Sequence, residues 1–563
     1  MIAVYIDKDI GRFENGIKYT FDFIFKTLGY EFKYIKTTRE ILSNDILIYY
    51  GVVHPSVYEA YEIIFRKMMF FIPFESELYD FKTLAATKLR NNVVEVESEI
   101  PIFSTRIIEN ELKAEEYRGL HYYSFGYDLI GNVFFHLNNG AEEILHDEGN
   151  NPFEPYFEKP FVNYLLKNLE KAITQAYGGQ QRYFLIKKEM WPAGEKLAVA
   201  VSHTIDSLKK WDMKSILKST LFNFLHFYKV NYIFQQSISI AKYLLTNFEE
   251  YWTFDTISEI ENEKQIKSTF FLGVEDDFFD YDIEDEDLSG EIDKILNRDC
   301  EIALLAPEHS LREDVHGSHK KIISSISNDT KIGVRQQNHS YNQVITSEFH
   351  EKNHFHYDSS QYHSQVFGFK NGISTPYRIY RIMASDLQDE VSINAISNHL
   401  EIPLAFSSEL LKLSQFKKLP YDKAKRIVDD LIENTKKVNG LFAFDITTSS
   451  FADINYCEDL FSYIWEKISQ EKSFKGTIGE IATWCKKREA VYIREKNRRL
   501  NIYFPYSFER FTISIIGDFQ IAVIDYNDAE VFGDRIIFRN VQPDTNVTVI
   551  LEAVDNDKER TIE

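Results

Sequence analysis

Cysteine is scarce. The 563 residues hold three, Cys300, Cys457 and Cys485, far apart and in no CxxC pair. This excludes a disulfide framework and a zinc-thiolate cluster, and reads as buried free thiols in a reducing compartment. Positive charge is also short: 64 Lys and Arg stand against 87 Asp and Glu, a net charge of -23. That balance argues against nucleic acid or an anionic membrane as the main partner. A local basic stretch, Lys486-Lys487-Arg488 to Lys496-Asn497-Arg498-Arg499, reads as a solvated helix end followed by a strand. No window of about 18 uninterrupted apolar residues occurs, so no membrane-spanning helix is expected. The start, Met1-Ile2-Ala3-Val4-Tyr5-Ile6-Asp7-Lys8, has no long apolar segment of the kind a signal peptide carries, and the expected location is the cytoplasm. No glycine-rich phosphate loop, GxSxG elbow, HExxH or Walker loop is found.

What is present is enough apolar material for cores, 44% hydrophobic and 15% aromatic, in a chain long enough for roughly three or four domains. Residues 1–185 alternate strand-like runs (Met1–Ile6, Asp45–Tyr50) with helix-like ones (Val57–Arg66, Asn163–Tyr177), as an α/β accessory domain would. From 186 to 490 strand-length segments (Leu197–Val201, Ser268–Leu272, Glu301–Leu305, Ile332–Val334, Ile402–Phe406, Gly440–Phe444) recur between helical ones, which predicts parallel strands in a barrel or open sheet. Short strands joined by turns over 491–563 predict a small antiparallel β-sandwich. Met213–Glu250 has helical periodicity. Its aromatic load suits a membrane surface, but its basic face is weak, so a packed helical hairpin is expected. The acidic run Asp276–Asp287 lacks EF-hand glycine and ligand spacing and reads as a solvated loop.

The densest signal is Ser202-His203-Thr204-Ile205-Asp206, directly after the apolar run Leu197–Val201. An aspartate at the end of a buried strand can hold a metal or move a proton. Histidines crowd the region that follows: His309, His316, His319, His339, His350, His354, His356 and His363.

Several segments together resemble the polysaccharide deacetylase family, the NodB-homology fold. They are the 202–206 pentapeptide, Tyr127–Asp147, Tyr251–Asp255, Lys267–Leu272, Glu301–Leu304, Gly333–Gln336, Tyr357–Ser359, Glu401–Leu404 and Ser449–Phe451. The likeness is to a bacterial branch with an N-terminal α/β domain. It implies a distorted (β/α) barrel over 186–490 with its site at the C-terminal strand ends. It also implies roles, position by position. Asp206 matches a metal ligand, while Thr204 stands where the family has its base. Leu305 and His309 occupy the two metal-histidine positions. Arg335 matches the arginine that orients the base, and Thr447 takes the place of the acid histidine. Asp445 reads as a helix cap or salt-bridge partner, or as a new acid. A zinc hydrolase uses three protein ligands plus a water, so Asp206 and His309 alone would bind a divalent ion such as zinc weakly. A missing base or acid each costs about 10²–10⁴ in rate.

The expectation is therefore a degenerate deacetylase-like protein of bacterial polysaccharide or surface-glycan metabolism, its barrel kept for binding a carbohydrate or glycan intermediate, or for scaffolding. Two alternatives stand beside it. One is an active carbohydrate N-deacetylase whose metal site is rewired from Asp206, His309 and one of His339, His354 or His356. The other is an interaction platform among proteins of a polysaccharide biosynthesis complex.

Overall fold

The computed structural model describes the chain except residues 38–39, 41–45, 55–68, 82–83, 98, 118–119, 146–149, 178–183, 226–229, 276–277, 308–312, 338–339, 364–365, 382–394, 415–416 and 554–563. The expected helix Val57–Arg66, His309 and His339 lie outside the described residues.

The apolar segments of the middle region become eight parallel strands: β1 (Ala198–Thr204), β2 (Ser268–Leu272), β3 (Glu301–Ala306), β4 (Val334–Gln336), β5 (Tyr357–Asp358), β6 (Leu400–Glu401), β7 (Phe406–Ser407) and β8 (Leu441–Asp445). The hydrogen-bonded path runs β6-β5-β4-β3-β2-β1-β8-β7. The strands therefore follow one another around a ring in chain order, and only the seam between β6 and β7 is unpaired. Residues 402–405 cross that seam, with Ile402 N–H donating to Asp358 O (2.8 Å) and Ala405 N–H to Ala443 O (2.7 Å). This is a distorted (β/α) barrel. The expected strand Ile402–Phe406 is instead two short strands and this crossing, where Pro403 has no N–H to give a ladder. β1 and β8 are buried throughout, as parallel strands covered on both faces are.

Side chains alternate across a strand. Ser202 and Thr204 of β1 therefore face the lumen, while His203 faces the outer layer. There its Nε2 meets Glu261 Oε1 at 3.0 Å on α3 (Phe254–Lys264), the helix that follows α1 (Met213–Leu225) and α2 (Val230–Thr246). Burial opposes ionisation of Glu261, but the hydrogen bond and charge of His203, with Arg298, hold its carboxyl below the usual range.

The N-terminal region forms a sheet in the order Phe32–Ile35, Ile2–Ile6, Ile46–Gly51, Met69–Pro73, Leu120–Phe125, all parallel, with Leu112–Tyr117 antiparallel at the edge. The C-terminal strands make one four-stranded antiparallel sheet and three strands of a second, whose fourth is Leu185–Lys188, paired with Phe508–Ile516.

Arg488 stands where these parts meet. It is buried, not part of a solvated helix end. Its guanidinium donates to the carbonyls of Lys26 (2.7 Å), Thr27 (3.3 Å), Lys188 (2.7 Å) and Glu189 (2.7 Å). Beside it, Gly29 has φ +85° and lies so close to Lys188 that an added Cβ would sit 2.0 Å from the Lys188 carbonyl oxygen. Only glycine fits there.

The acidic run also departs from a solvated loop. Phe279, Tyr281 and Ile283 are buried, and Asp280 accepts from Ser207 Oγ (2.5 Å) and from the N–H groups of Leu208 (2.8 Å) and Lys209 (2.9 Å). The run braces the loop after β1.

Candidate functional site

The C-terminal ends of β1, β4, β7 and β8 converge on a polar cluster. Arg335, on β4 and buried, donates from Nη1 to Asp445 Oδ1 (2.5 Å), Thr204 Oγ1 (2.9 Å) and Ser202 Oγ (3.0 Å). Its Nε and Nη2 reach Ser359 O (3.0 Å) and Oγ (3.1 Å). Asp445, at the end of β8, also accepts from Ser202 Oγ (2.7 Å) and Thr204 Oγ1 (3.0 Å). Of the readings open for Asp445, the geometry makes it a salt-bridge partner. Asp445 thus brings a carboxylate beside Thr204 from the neighbouring strand, and the arginine is fully engaged there.

Asp206 lies just beyond β1. Its carboxylate accepts from Thr448 Oγ1 (2.9 Å), Ser449 N–H (3.1 Å) and Ser449 Oγ, all at the start of a short helix, Thr448–Asp453. Burial raises its carboxyl pKa, and these bonds oppose the rise. Thr447 caps that helix, its Oγ1 accepting from Ser450 N–H (3.2 Å). Leu305 is a buried apolar residue of β3. Among the described residues, the donors around Asp206 are hydroxyls and amides, which do not fit a zinc-type centre.

Glu409 was not singled out by sequence reasoning. It follows Ser407 and Ser408 at the barrel rim. Although it keeps exposed surface, burial of its carboxyl, then the charges of Asp206 and Asp445, push its pKa up to about 7. Nothing in the local sequence signals this, because the crowding comes from residues about 200 positions upstream and 36 downstream.

A second cluster lies on the outer face of the sheet, where alternation puts Asp358 of β5. His350, on α4 (Ile345–Lys352), meets Asp358 Oδ2 through Nδ1 at 2.6 Å. His350, Asp358 and His399 offer ligand atoms all within 4.8 Å of one another, at exposures of 0%, 0% and 2%. Nε2 of His350 and of His399 lacks a hydrogen-bond partner. Burial lowers His399 to about 3, so its ring is neutral. Burial works against the Asp358 carboxylate, but its close pairing with His350 holds its pKa down. These three residues form the cluster that could hold a metal, and they are not the set expected from the motifs. His350 and Asp358 were visible only as part of a histidine run and a strand end, and spacings of 8 and 41 residues carry no ligand pattern. His356 instead binds Thr483 Oγ1 (2.9 Å). It precedes β5, as does His354, so both lie toward the opposite end of the barrel from Asp206.

A cavity of about 970 Å³ also opens at that opposite end, among Lys267, Glu301, His356, Phe474, Thr477 and Phe508. Barrel chemistry sits at C-terminal strand ends, so the polar mouth is the stronger candidate.

No family model and no curated protein matches the chain. Solved structures do. A probable polysaccharide deacetylase from Pseudomonas aeruginosa PAO1 is similar over 52% of this chain and 92% of its own, at 9% identity and TM-score 0.34. PuuE allantoinase is similar over 52% and 91%, at 10% and 0.33. A mutant CE4 family pseudoenzyme with restored enzymatic activity is similar over 52% and 69%, at 11% and 0.26.

Proposed function

We propose that this chain is a deacetylase-like barrel of glycan metabolism that binds a carbohydrate at its polar mouth without hydrolysing it. The observation that carries this reading is the engagement of Asp206 and Arg335. The first is held by Thr448 and Ser449 and the second by Asp445, while Thr204, Leu305 and Thr447 occupy the positions of base, ligand and acid. A mouth lined by hydroxyls and carboxylates suits sugar hydroxyls, which both donate and accept.

The test is calorimetry and acetate release with N-acetylated oligosaccharides. Binding is expected without acetate, and it should weaken at least tenfold in Asp206→Ala. Acetate release that disappears in Asp206→Ala together with bound metal would sink the proposal.

One observation favours a hydrolytic second reading. Glu409, with a carboxyl near pH 7 beside Asp206, has the acidity a general acid or base needs. In either reading a zinc-class ion belongs at His350, Asp358 and His399, where two buried ring nitrogens have no partner. It would tie α4 to β5 behind the lumen. Elemental analysis of wild type against His399→Asn decides this, since equal metal content would refute it.

A further inference from the structure

The hairpin of α1 and α2 is built unlike the rest of the molecule. Met213 (76% exposed), Leu217 (71%), Leu221 (60%) and Leu225 (63%) repeat every fourth residue along one side of α1. Val230, Phe234 and Ile238 do the same on α2, followed by Leu244, Leu245 and Phe248. These are ten of the 24 exposed large hydrophobics among the described residues, gathered in 36 positions. Scattered apolar residues on a surface need no explanation, but a continuous stripe does. The expected packed hairpin is therefore only partly realised: the helices touch each other, but this stripe covers no core.

Charge gives the occupant. Residues 213–248 contain Lys214, Lys218, Lys229 and Lys242 and no Asp or Glu, within a chain of net charge -23. Lys214, Lys218 and Lys242 are exposed beside the stripe. A protein partner alone would explain the stripe but not the removal of every acidic residue. Screening limits the reach of the distant negative charge to about 8–10 Å at physiological salt, so a projecting hairpin presents its own sign. At about 1.5 Å rise per residue the helices are roughly 20 and 25 Å long. No helix of the described residues is long and apolar enough to cross a membrane. An amphipathic pair of that length lies in the interface, apolar side down.

We infer that this hairpin docks the protein on a lipid surface bearing anionic headgroups. Its root fixes what faces that surface. Trp211 Nε1 donates to Ser239 Oγ of α2 (2.7 Å), and Lys210 pairs with Glu250 (2.7 Å) and with Asp453 (2.9 Å). Asp453 closes the same short helix whose start holds Asp206. The hairpin thus rises from the rim of the barrel mouth. Resting on the carbohydrate reading above, the bound glycan would be one attached to or lying along the lipid surface.

The experiment is co-sedimentation of the full chain with vesicles of phosphatidylethanolamine and phosphatidylglycerol, against vesicles of phosphatidylcholine. Wild type should partition at least tenfold more strongly to the anionic vesicles, less so in 1 M salt. Leu217→Glu/Phe234→Glu should abolish binding, and Lys214→Glu/Lys218→Glu should remove the anionic preference. Both pairs are exposed, and an unchanged melting temperature verifies the fold. Equal absence of binding to both vesicles overturns the inference. So does dimerisation in solution that Leu217→Glu/Phe234→Glu abolishes while vesicle binding stays absent, because the occupant is then a second copy. Glycan binding measured without vesicles separates failure of this inference from failure of the carbohydrate reading.

Discussion

At the scale of single residues, the mouth of the barrel is organised by one buried ion pair. Taking one partner away leaves a charge without compensation in the lumen, which costs about 3–5 kcal/mol. Arg335→Ala and Asp445→Ala are each expected to lose stability of that order in denaturant unfolding, and Arg335→Met/Asp445→Leu should lose clearly less than the two single changes summed. Glu409 supplies a pH test. Its folded carboxyl keeps a proton to about pH 7, against an ordinary value of 4.5. The folded state therefore binds more protons across that window, and this residue's contribution to stability falls as pH rises through it. Titration followed by NMR should place its midpoint near 7, and Asp206→Asn should move the midpoint down by removing a like charge. Little of this was legible beforehand. Thr204, Arg335 and Asp445 could each be placed at a strand end from their neighbours in sequence. That Asp445 would lie beside Thr204 depends on the register pairing Ser202 with Asp445, a relation between segments over 240 residues apart.

At the scale of elements, periodicity located most of the helices and strands because apolar faces must be buried wherever they meet the core. Helices at Tyr421–Lys437, Cys457–Ser469 and Ile478–Ala490 are among the helical stretches expected to alternate with strands over 186–490. Two of the departures share a cause. The 213–250 segment and the acidic run both have an apolar pattern, but the pattern does not say what it packs against. In one the apolar side chains face outward, and in the other Phe279, Tyr281 and Ile283 turn inward under a charged surface. The short helix Thr448–Asp453 owes its start to a side chain at the residue before it. Thr447 caps it, and a cap of this kind contributes about 0.5–2 kcal/mol. Thr447→Ala should lower stability by about 1 kcal/mol in urea unfolding, while Thr447→Ser, which keeps the hydroxyl, should stay close to wild type.

At the scale of the whole molecule, the three parts are joined through polar contacts such as Asn163 Nδ2 to Thr375 Oγ1 (2.9 Å) and Asn434 Nδ2 to Glu158 O (3.1 Å), and Arg488 makes four more. It lies on the helix Ile478–Ala490 of the barrel and binds carbonyls of the N-terminal region and of the strand that enters the sandwich. Arg488→Ala would orphan buried carbonyls, each a loss of about 1–3 kcal/mol. The expected outcome is a lower melting temperature in calorimetry and earlier proteolysis near Lys26. The same contact orders events in time. The carbonyl of Lys26 waits for a side chain 462 residues further along, and Leu185–Lys188 waits for Phe508–Ile516. At synthesis rates of about 5–20 residues per second, the first domain leaves the ribosome on the order of tens of seconds before the residues that fasten it exist. Its own sheet must hold it through that interval, and a slowed ribosome downstream would lengthen its exposure without changing a single residue of it.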